Sequence, residues 1–433
     1  MTRKICLLLC LAMLMTLTVG TVTQSGANED KTVFQFMLWG NPNYEDANYM
    51  IESVETAFPE LKGKYGWDLI SAGSGNDDVT QKLRLMMTAN EQMPDMVQFN
   101  RNAVPEFAEI GFCRDLTDAY APYMDELLPG ALELVSYKDQ VIAFPYELKC
   151  KLWFYRADLF EEAGIDPAAI ITTDDFIAAG HKLKETFPDS YIWNLGSDIA
   201  GYNAHMVLSG NGARFTDDNN NYIIDTDPGV RLYIEDIMKI KDSGVTIEIN
   251  DWTPDWEQGF ADGTIASTPL ANWLKFFLPN YAPEQAGLWA VAQWPEIGGC
   301  PGGQGSENGG SMFVVPNNAG QGDEIIEFLS MLMFDKTASL KWFELKGVTP
   351  LTKSAINDPA VQKPDKFFGV SLMREEAVAY EKIKIFDYSP SSTLEFDIFN
   401  TYVSMIGRHE ISIDDALAQC QADMISQIGD PWQ

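Results

Sequence analysis

Aromatic residues near the ends of apolar runs are the strongest chemical signal in this 433-residue sequence. Aromatic rings stack on the apolar C–H face of a sugar, and amides and carboxylates hydrogen-bond its hydroxyls. The aromatic set comprises Trp39, Phe99, Tyr146, Tyr155, Trp193, Trp252, Trp256, Trp273 and Trp294. Of these, the stacking candidates are Trp39, Phe99, Tyr146, Trp193, Trp256 and Trp273. The other ligand-binding candidates are Asp78, Asn100, Asn102, Glu147, Asn272, Asn308 and Gly309. Because core packing is the commoner fate of any one ring, the hypothesis of a sugar site depends on the whole set.

Trp273 is the expected main platform for stacking. It follows the apolar run 264–270 and precedes two phenylalanines, which predicts a strand and then a helix headed by an aromatic ring. An extended segment, 288–294, and the glycine-rich segment 298–310 come next. An indole at such a corner, beside a flexible connection, predicts one wall of a cleft. Trp273→Ala is then expected to weaken sugar binding while leaving thermal stability largely intact.

The elements around these residues predict an α/β fold. The N-terminal pattern is strand 32–39, helix 49–58, strand 67–71, helix 79–87 and strand 96–99. A β-α-β-α-β order is typical of a parallel sheet with right-handed crossovers, whose ligands bind at the carboxyl ends of the strands. Further strands are predicted at 140–144 and 152–155, and the C-terminal third is predicted to be mainly helical.

Motifs for catalysis, cofactors or metals are weak. The three histidines are far apart in the sequence, and the glycines of 302–309 have neither the GxGxxG spacing nor a Walker lysine. Segment 217–225 has oxygen ligands at EF-hand-like intervals, but Tyr222 stands where a glycine is needed, so a hairpin turn is favoured over a calcium site. We expect no enzyme, no cofactor and no metal. A secreted glycosidase, which needs a pair of carboxylates in its cleft, is the weak alternative.

The chain is strongly acidic. With 63 acidic against 30 basic residues the net charge is −33, which disfavours nucleic acid and anionic membranes as partners.

Residues 1–27 have the pattern of a signal peptide, with Arg3 and Lys4 before the apolar run 5–19. Cys6 and Cys10 lie inside that run, so no lipid-anchoring cysteine follows it. We expect export to the periplasm or to the extracellular side of the cytoplasmic membrane.

Four cysteines remain after the predicted signal peptide: Cys113, Cys150, Cys300 and Cys420. They are widely spaced and form no CxxC motif, so zinc and redox motifs are absent from the sequence. Free buried thiols are favoured over disulfides, and a bond between Cys150 and Cys300 is left open.

Several segments in a fixed order carry a family resemblance. They are PDMV at 94–97, IAFPY at 142–146, WFYRADLFEEAGI at 153–165, TTDDF at 172–176, and FADGTIA at 260–266 followed by Asn272-Trp273. Together they make the chain similar to the family 1 extracellular solute-binding proteins of ABC transporters, the maltose-binding-protein-like group. Arg156, Ser267 and Ala271 depart from the usual Asn, Met and Gly of that pattern.

The resemblance implies a periplasmic-binding-protein-like fold of type II, with two α/β lobes of parallel sheets and a ligand closed between them. The lobes would be 31–147 plus 310–347 and 149–304 plus 351–433, with crossings near 147–151, 304–310 and 346–350. It also implies capture of a carbohydrate, an oligosaccharide, and delivery to permease subunits by a monomeric protein. Trp273 is the best carry-over of a stacking position, with Phe99 and Asn102 next. A polyamine or a peptide is the alternative ligand for the same fold.

Overall fold

The computed structural model describes residues 31–196, 199, 202–301 and 310–432, and for residues 202, 203 and 206 the backbone alone. The predicted signal peptide, the ligand candidates Asn308 and Gly309, and most of the predicted crossing 304–310 lie outside the described residues. Within the described part, no helix is both long and apolar enough to cross a membrane.

Twelve strands and seventeen α-helices are found in the described residues. The strands are β1 Thr32–Leu38, β2 Tyr65–Ser71, β3 Met96–Asn100, β4 Ser136–Tyr137, β5 Gln140–Val141, β6 Phe144–Pro145, β7 Lys151–Arg156, β8 Trp193–Asn194, β9 Thr246–Ile247, β10 Ser267–Ala271, β11 Trp289–Ala292 and β12 Ser311–Val314. The helices are α1 Tyr44–Ala57, α2 Asn76–Thr88, α3 Val104–Glu109, α4 Thr117–Tyr120, α5 Pro129–Val135, α6 Ala157–Glu162, α7 Thr173–Thr186, α8 Tyr202–Asn211, α9 Pro228–Asp242, α10 Pro254–Asp262, α11 Leu278–Tyr281, α12 Gly322–Phe334, α13 Lys336–Lys346, α14 Lys353–Ile356, α15 Leu372–Glu381, α16 Ser392–Gly407 and α17 Ile413–Gln427. The helical C-terminal third is confirmed.

The first sheet has the strand order β2-β1-β3-β12-β6. β1 is parallel to both β2 and β3, as predicted, and β12 returns antiparallel to β3 and β6. Phe34 of β1 packs on Trp67 of β2 and on Phe328 of α12, with ring centroids 5.7 Å apart in both pairs. Because β1, β2 and β3 run the same way, their carboxyl ends meet at one edge, where a ligand site is expected.

The second sheet differs from the predicted parallel arrangement. Its order is β10-β7-β11, and both neighbours run antiparallel to β7. β7 leaves the first crossing at Lys151, and β10 comes back along it, so that Ala271 ends opposite Lys151. Among the described residues of this half, parallel pairing is restricted to the short β8–β9 pair and to isolated bridges. The return of β10 is what brings the Trp273 segment next to the crossing.

Two apolar cores hold these sheets. The first core surrounds the five-stranded sheet and continues through Leu152 and Phe154 of β7 to Trp273. The second core lies on the other face of β7, around Trp153, Phe176 and Tyr233. This alternation follows from the two-residue period of a strand. The four cysteines 113, 150, 300 and 420 are buried and free, as favoured from the sequence, and Cys150 and Cys300 form no disulfide.

Candidate functional site

A cleft of about 420 Å³ lies between the carboxyl edge of the first sheet and the segment after β10. Five of the predicted ligand-binding residues line it: Trp39, Asn100, Tyr146, Glu147 and Trp273. The lining also includes residues that were not among the candidates, such as Asn76, Gln98, Lys149, Trp252 and Lys346. The cleft therefore brings together part of the predicted set and adds both amides and charges to it.

One wall of the cleft is polar and is built by the strand ends of the first sheet. Trp39 follows β1, Asn76 begins α2 after β2, and Gln98 and Asn100 belong to β3. The side-chain Oδ1 of Asn76 accepts a hydrogen bond of 2.9 Å from the backbone N–H of Asn100, which joins two strand ends. We call Trp39, Asn76, Gln98 and Asn100 the amide wall.

Asp78 was predicted to bind ligand, but it is not among the residues that line the cleft and holds the loop before α2 instead. Its carboxylate accepts hydrogen bonds from the backbone N–H groups of Ser74 and Gly75, at 2.6 and 3.1 Å, and from the hydroxyl of Ser74. These bonds stabilise the charged form and hold the pKa of Asp78 below its usual value. The carboxylate is thus used to shape the loop before α2.

The opposite wall is aromatic, and its most exposed ring is Trp252. Trp252 stacks on Trp273 with ring centroids 5.1 Å apart and planes 24° apart, and it meets Phe277 edge to face at 5.3 Å. Trp252 is 46% exposed, whereas Trp273 is 6% exposed. The backbone of Trp252 has φ 62°, a strained conformation for a bulky residue that tends to occur at functional sites. We call Trp252, Trp273 and Phe277 the indole wall.

Trp273 therefore supports Trp252 in the indole wall and exposes little of its own ring. The structure differs here from the expectation that Trp273 is the main platform, because one face of its ring is covered by Trp252. Trp256, also predicted to bind ligand, lies one layer deeper. It is fully buried against Trp252 and Phe260, with centroids 5.3 and 5.0 Å away, and does not line the cleft.

A charged pair lies at the base of the cleft. Lys149 Nζ is 3.0 Å from a carboxylate oxygen of Glu147, and both side chains are mostly buried. Lys346, which also lines the cleft, is paired with Asp46 at 2.5 Å. Among the described lining residues Glu147 is the one carboxylate, and Lys149 neutralises it. Tyr146 completes this side, and burial raises the pKa of its hydroxyl, so it is a neutral donor.

The remaining predicted residues that the structure describes lie away from the cleft. Phe99 is fully buried against Phe107, because it alternates on β3 with Gln98 and Asn100, which face the cleft. Trp193 is buried in the second core. Asn102 is half-buried in the 3-10 turn Arg101–Ala103, outside the cleft lining.

Asn272 is buried, and its amide serves the chain itself. Its Nδ2 donates to the carbonyl oxygen of Leu148 at 3.1 Å and to the hydroxyl of Tyr380 at 2.8 Å. It therefore holds the Trp273 segment against the first crossing and is not among the residues that line the cleft.

The acidic segment 217–225 forms the turn that was favoured over a calcium site. The carboxylate of Asp217 accepts hydrogen bonds from the backbone N–H groups of Asn219 and Asn221, at 2.8 and 2.9 Å, and Thr216 pairs with Tyr222 across the turn. In the described part of the chain, no three His, Cys, Asp or Glu residues are grouped so that they could hold a metal ion.

Comparison with known proteins defines the class. The profile of the bacterial extracellular solute-binding proteins matches residues 56–369, most of the chain. The chain belongs to this family.

Several relatives are similar over most of their length. The arabinooligosaccharide-binding protein of Halalkalibacterium halodurans is 23% identical over 408 residues, which cover 87% of this chain and 85% of that protein. The lactose-binding protein of Rhizobium radiobacter is 24% identical over 302 residues, which cover 67% and 69%.

Solved structures show the same two-lobed, periplasmic-binding-protein-like fold. The binding protein associated with an ABC transporter of B. animalis subsp. lactis Bl-04, in complex with β-1,6-galactobiose, superposes with a TM-score of 0.72 at 24% identity. The match covers 92% of this chain and 97% of that one. The galacto-N-biose/lacto-N-biose I-binding protein of Bifidobacterium longum, in complex with lacto-N-biose, gives 0.76 at 19% identity, over 94% and 99%.

Proposed function

We propose that this protein is the binding component of an ABC importer and that it captures a carbohydrate, an oligosaccharide, in the cleft described above. The observation that carries the proposal is the half-exposed indole of Trp252 in the same cleft as Asn76 and Asn100. An indole face matches the C–H face of a pyranose or furanose ring, and the amides match its hydroxyls. The sugar-binding names of the relatives support the same ligand class.

We also propose the two lobes as predicted, 31–147 plus 310–347 and 149–304 plus 351–433. Closing them would bring the amide wall and the indole wall onto opposite faces of one ligand. The ligand then favours the closed form by its higher affinity for that form. The proposal includes a monomer that acts on the outer side of the cytoplasmic membrane and delivers its ligand to permease subunits there.

The charges of the cleft favour a neutral sugar over a polyamine. A polyamine carries several ammonium groups and needs carboxylates that are not already paired. Glu147, the one carboxylate among the described lining residues, is 3.0 Å from Lys149. The same observation weakens the glycosidase alternative, because hydrolysis needs two carboxylates flanking the bond that is cleaved.

A thermal-shift screen tests the ligand class. The panel contains arabinotriose, lactose, β-1,6-galactobiose, maltotriose, spermidine and a tripeptide. A ligand at a hundred times its dissociation constant stabilises the folded state by about 2.7 kcal/mol, and we expect one of the sugars to raise the melting midpoint by about 4 °C or more. A rise with spermidine or the tripeptide, and with none of the sugars, would contradict the proposal.

A further inference from the structure

A buried polar network lies directly behind the indole wall. Its centre is Glu376 on α15, whose side chain is fully buried. Lys275 Nζ donates to one carboxylate oxygen at 2.7 Å, and the hydroxyl of Thr349 donates to the other at 2.5 Å. Because an ionised carboxylate that loses its partners in such a place is strongly destabilised, these three side chains are held together.

Tyr380, one helical turn further along α15, extends the network to the first crossing. Its hydroxyl donates to the carbonyl oxygen of Leu148 at 2.7 Å and accepts from Asn272 Nδ2 at 2.8 Å. The backbone N–H of Asn272 in turn donates to the carbonyl oxygen of Cys150 at 2.9 Å. Burial raises the pKa of Tyr380 well above its ordinary value, so the hydroxyl keeps its proton and remains a donor.

The network thus reaches three separate parts of the chain from one helix. Leu148 and Cys150 lie in the predicted crossing 147–151, and Thr349 lies in the predicted crossing 346–350. Asn272 and Lys275 flank Trp273. We propose that Glu376 and Tyr380 clamp the two crossings to the Trp273 segment, so that these parts move as one body when the cleft opens and closes. This inference rests on the hinge closure of the proposed function.

The clamp determines where the chain bends. Because it fixes residues 148–150 and 349 to the Trp273 segment, the chain bends between these residues and the first sheet. Gly347 lies there, at the C-terminus of α13, with φ +76°, a conformation that glycine adopts without strain. A Cβ at this position would come within 2.7 Å of the Phe276 ring. In the first crossing, Glu147 lies on the same side of the clamp, next to the first sheet, and is paired with Lys149.

Distances between two spin labels test the clamp without any ligand. The exposed sites Lys62 and Glu161, changed as K62C and E161C, place one label in each proposed lobe, and the four described native cysteines are buried from the reagent. Tyr380→Phe and Thr349→Val each remove one hydroxyl from the network. Tyr120→Phe is the matched control, since Tyr120 is also fully buried and donates to a backbone carbonyl, that of Ala143, at 2.9 Å.

We expect the distance distribution to become about twice as wide in Tyr380→Phe and in Thr349→Val, and to keep the wild-type width in Tyr120→Phe. A wild-type width in both network variants, with their folds intact by circular dichroism, would overturn the clamp. Equal broadening in Tyr120→Phe would also overturn it, because general destabilisation would then be the cause. Titration of the labelled protein with arabinotriose, lactose and β-1,6-galactobiose tests the ligand class separately, since a clamp seen without ligand stands whichever sugar binds or fails to bind.

Discussion

The two walls of the cleft are built in opposite ways. The amide wall consists of three amide side chains and the indole of Trp39, at or just after the carboxyl ends of parallel strands, and local hydrogen bonds such as that from Asn100 to Asn76 hold it in place. The indole wall consists of stacked rings, and its geometry is held by layers of aromatic packing beneath Trp252. Hydrogen bonds are directional and discriminate between ligands, whereas a ring face contributes contact area.

The two walls are therefore suited to different roles in binding. We expect the amide wall to select the ligand by the positions of its hydroxyl groups and the indole wall to provide most of the affinity. We therefore expect full affinity to require the closed form proposed above. Variants of the amide wall should therefore change the preference among sugars, and loss of the open ring of the indole wall should lower the affinity.

The largest effect is expected for Trp273→Ala, in stability. The ring is 94% buried, at 6% exposure, and its loss leaves a cavity beneath Trp252, so the free energy of unfolding should fall by about 3–5 kcal/mol. Urea denaturation followed by circular dichroism measures this. Trp252→Ala is the control and should change stability far less. If Trp273→Ala left stability unchanged, Trp273 would be the open platform that the sequence suggested.

The next largest effect is a pH dependence of the unfolding free energy that arises at the second core. His205 lies on the second core, stacked on Phe396 with centroids 3.8 Å apart, and burial lowers its pKa to about 4. An unfolded histidine takes up its proton near pH 6.5, so the stability due to the neutral ring is complete above that pH and is lost as the pH falls toward 4, by up to about 3 kcal/mol.

His205→Gln should therefore remove part of the loss in unfolding free energy between pH 7.5 and pH 4.5, measured by urea denaturation at both values. His409→Gln is the control, because His409 is exposed beside Asp242. The same pH dependence in wild type and His205→Gln would show that the imidazole of His205 is not held neutral by the second core.

A smaller effect is expected for Asn100→Ala on the amide wall. Loss of one hydrogen-bonding side chain costs about 0.5–1.5 kcal/mol of binding free energy, about a fivefold weakening. Calorimetry with the sugar found in the screen measures it, and the loss should differ between sugars that differ in one hydroxyl. Asn357→Ala, an exposed change outside the cleft lining, is the control. A uniform loss for all sugars would contradict the selecting role of this wall.

The part of the site that the sequence could predict is the part built by local patterns. Apolar runs and the β-α-β order placed Trp39 and Asn100 at one edge of the sheet, and the structure agrees. Phe99 was misplaced because its neighbours on β3 face the cleft while it faces the core. The loop role of Asp78 was available from its position in the first turn of a helix, where a carboxylate reaches back to the backbone N–H of the N-cap residue, here Gly75.

The open position of the Trp252 ring could not be predicted in this way. Trp252 precedes the N-cap residue Thr253 of α10 in a segment without apolar periodicity, and its positive φ and its stacking on Trp273 depend on residues about 20 positions along the chain. The direction of β10 and β11 also depends on tertiary pairing, which a run of apolar residues does not encode. The sequence therefore indicated the cleft but not which of its rings is open.

The central claim is that Trp252 is the open stacking face of a carbohydrate site. Its most direct test is isothermal titration calorimetry of wild type and Trp252→Ala with arabinotriose, lactose and β-1,6-galactobiose. We expect at least one of these sugars to bind the wild type and to bind Trp252→Ala about tenfold or more weakly, a loss of about 1.4 kcal/mol or more, with the variant's thermal stability nearly unchanged. Equal affinity of the two proteins for that sugar, or no heat with any sugar, would contradict the account.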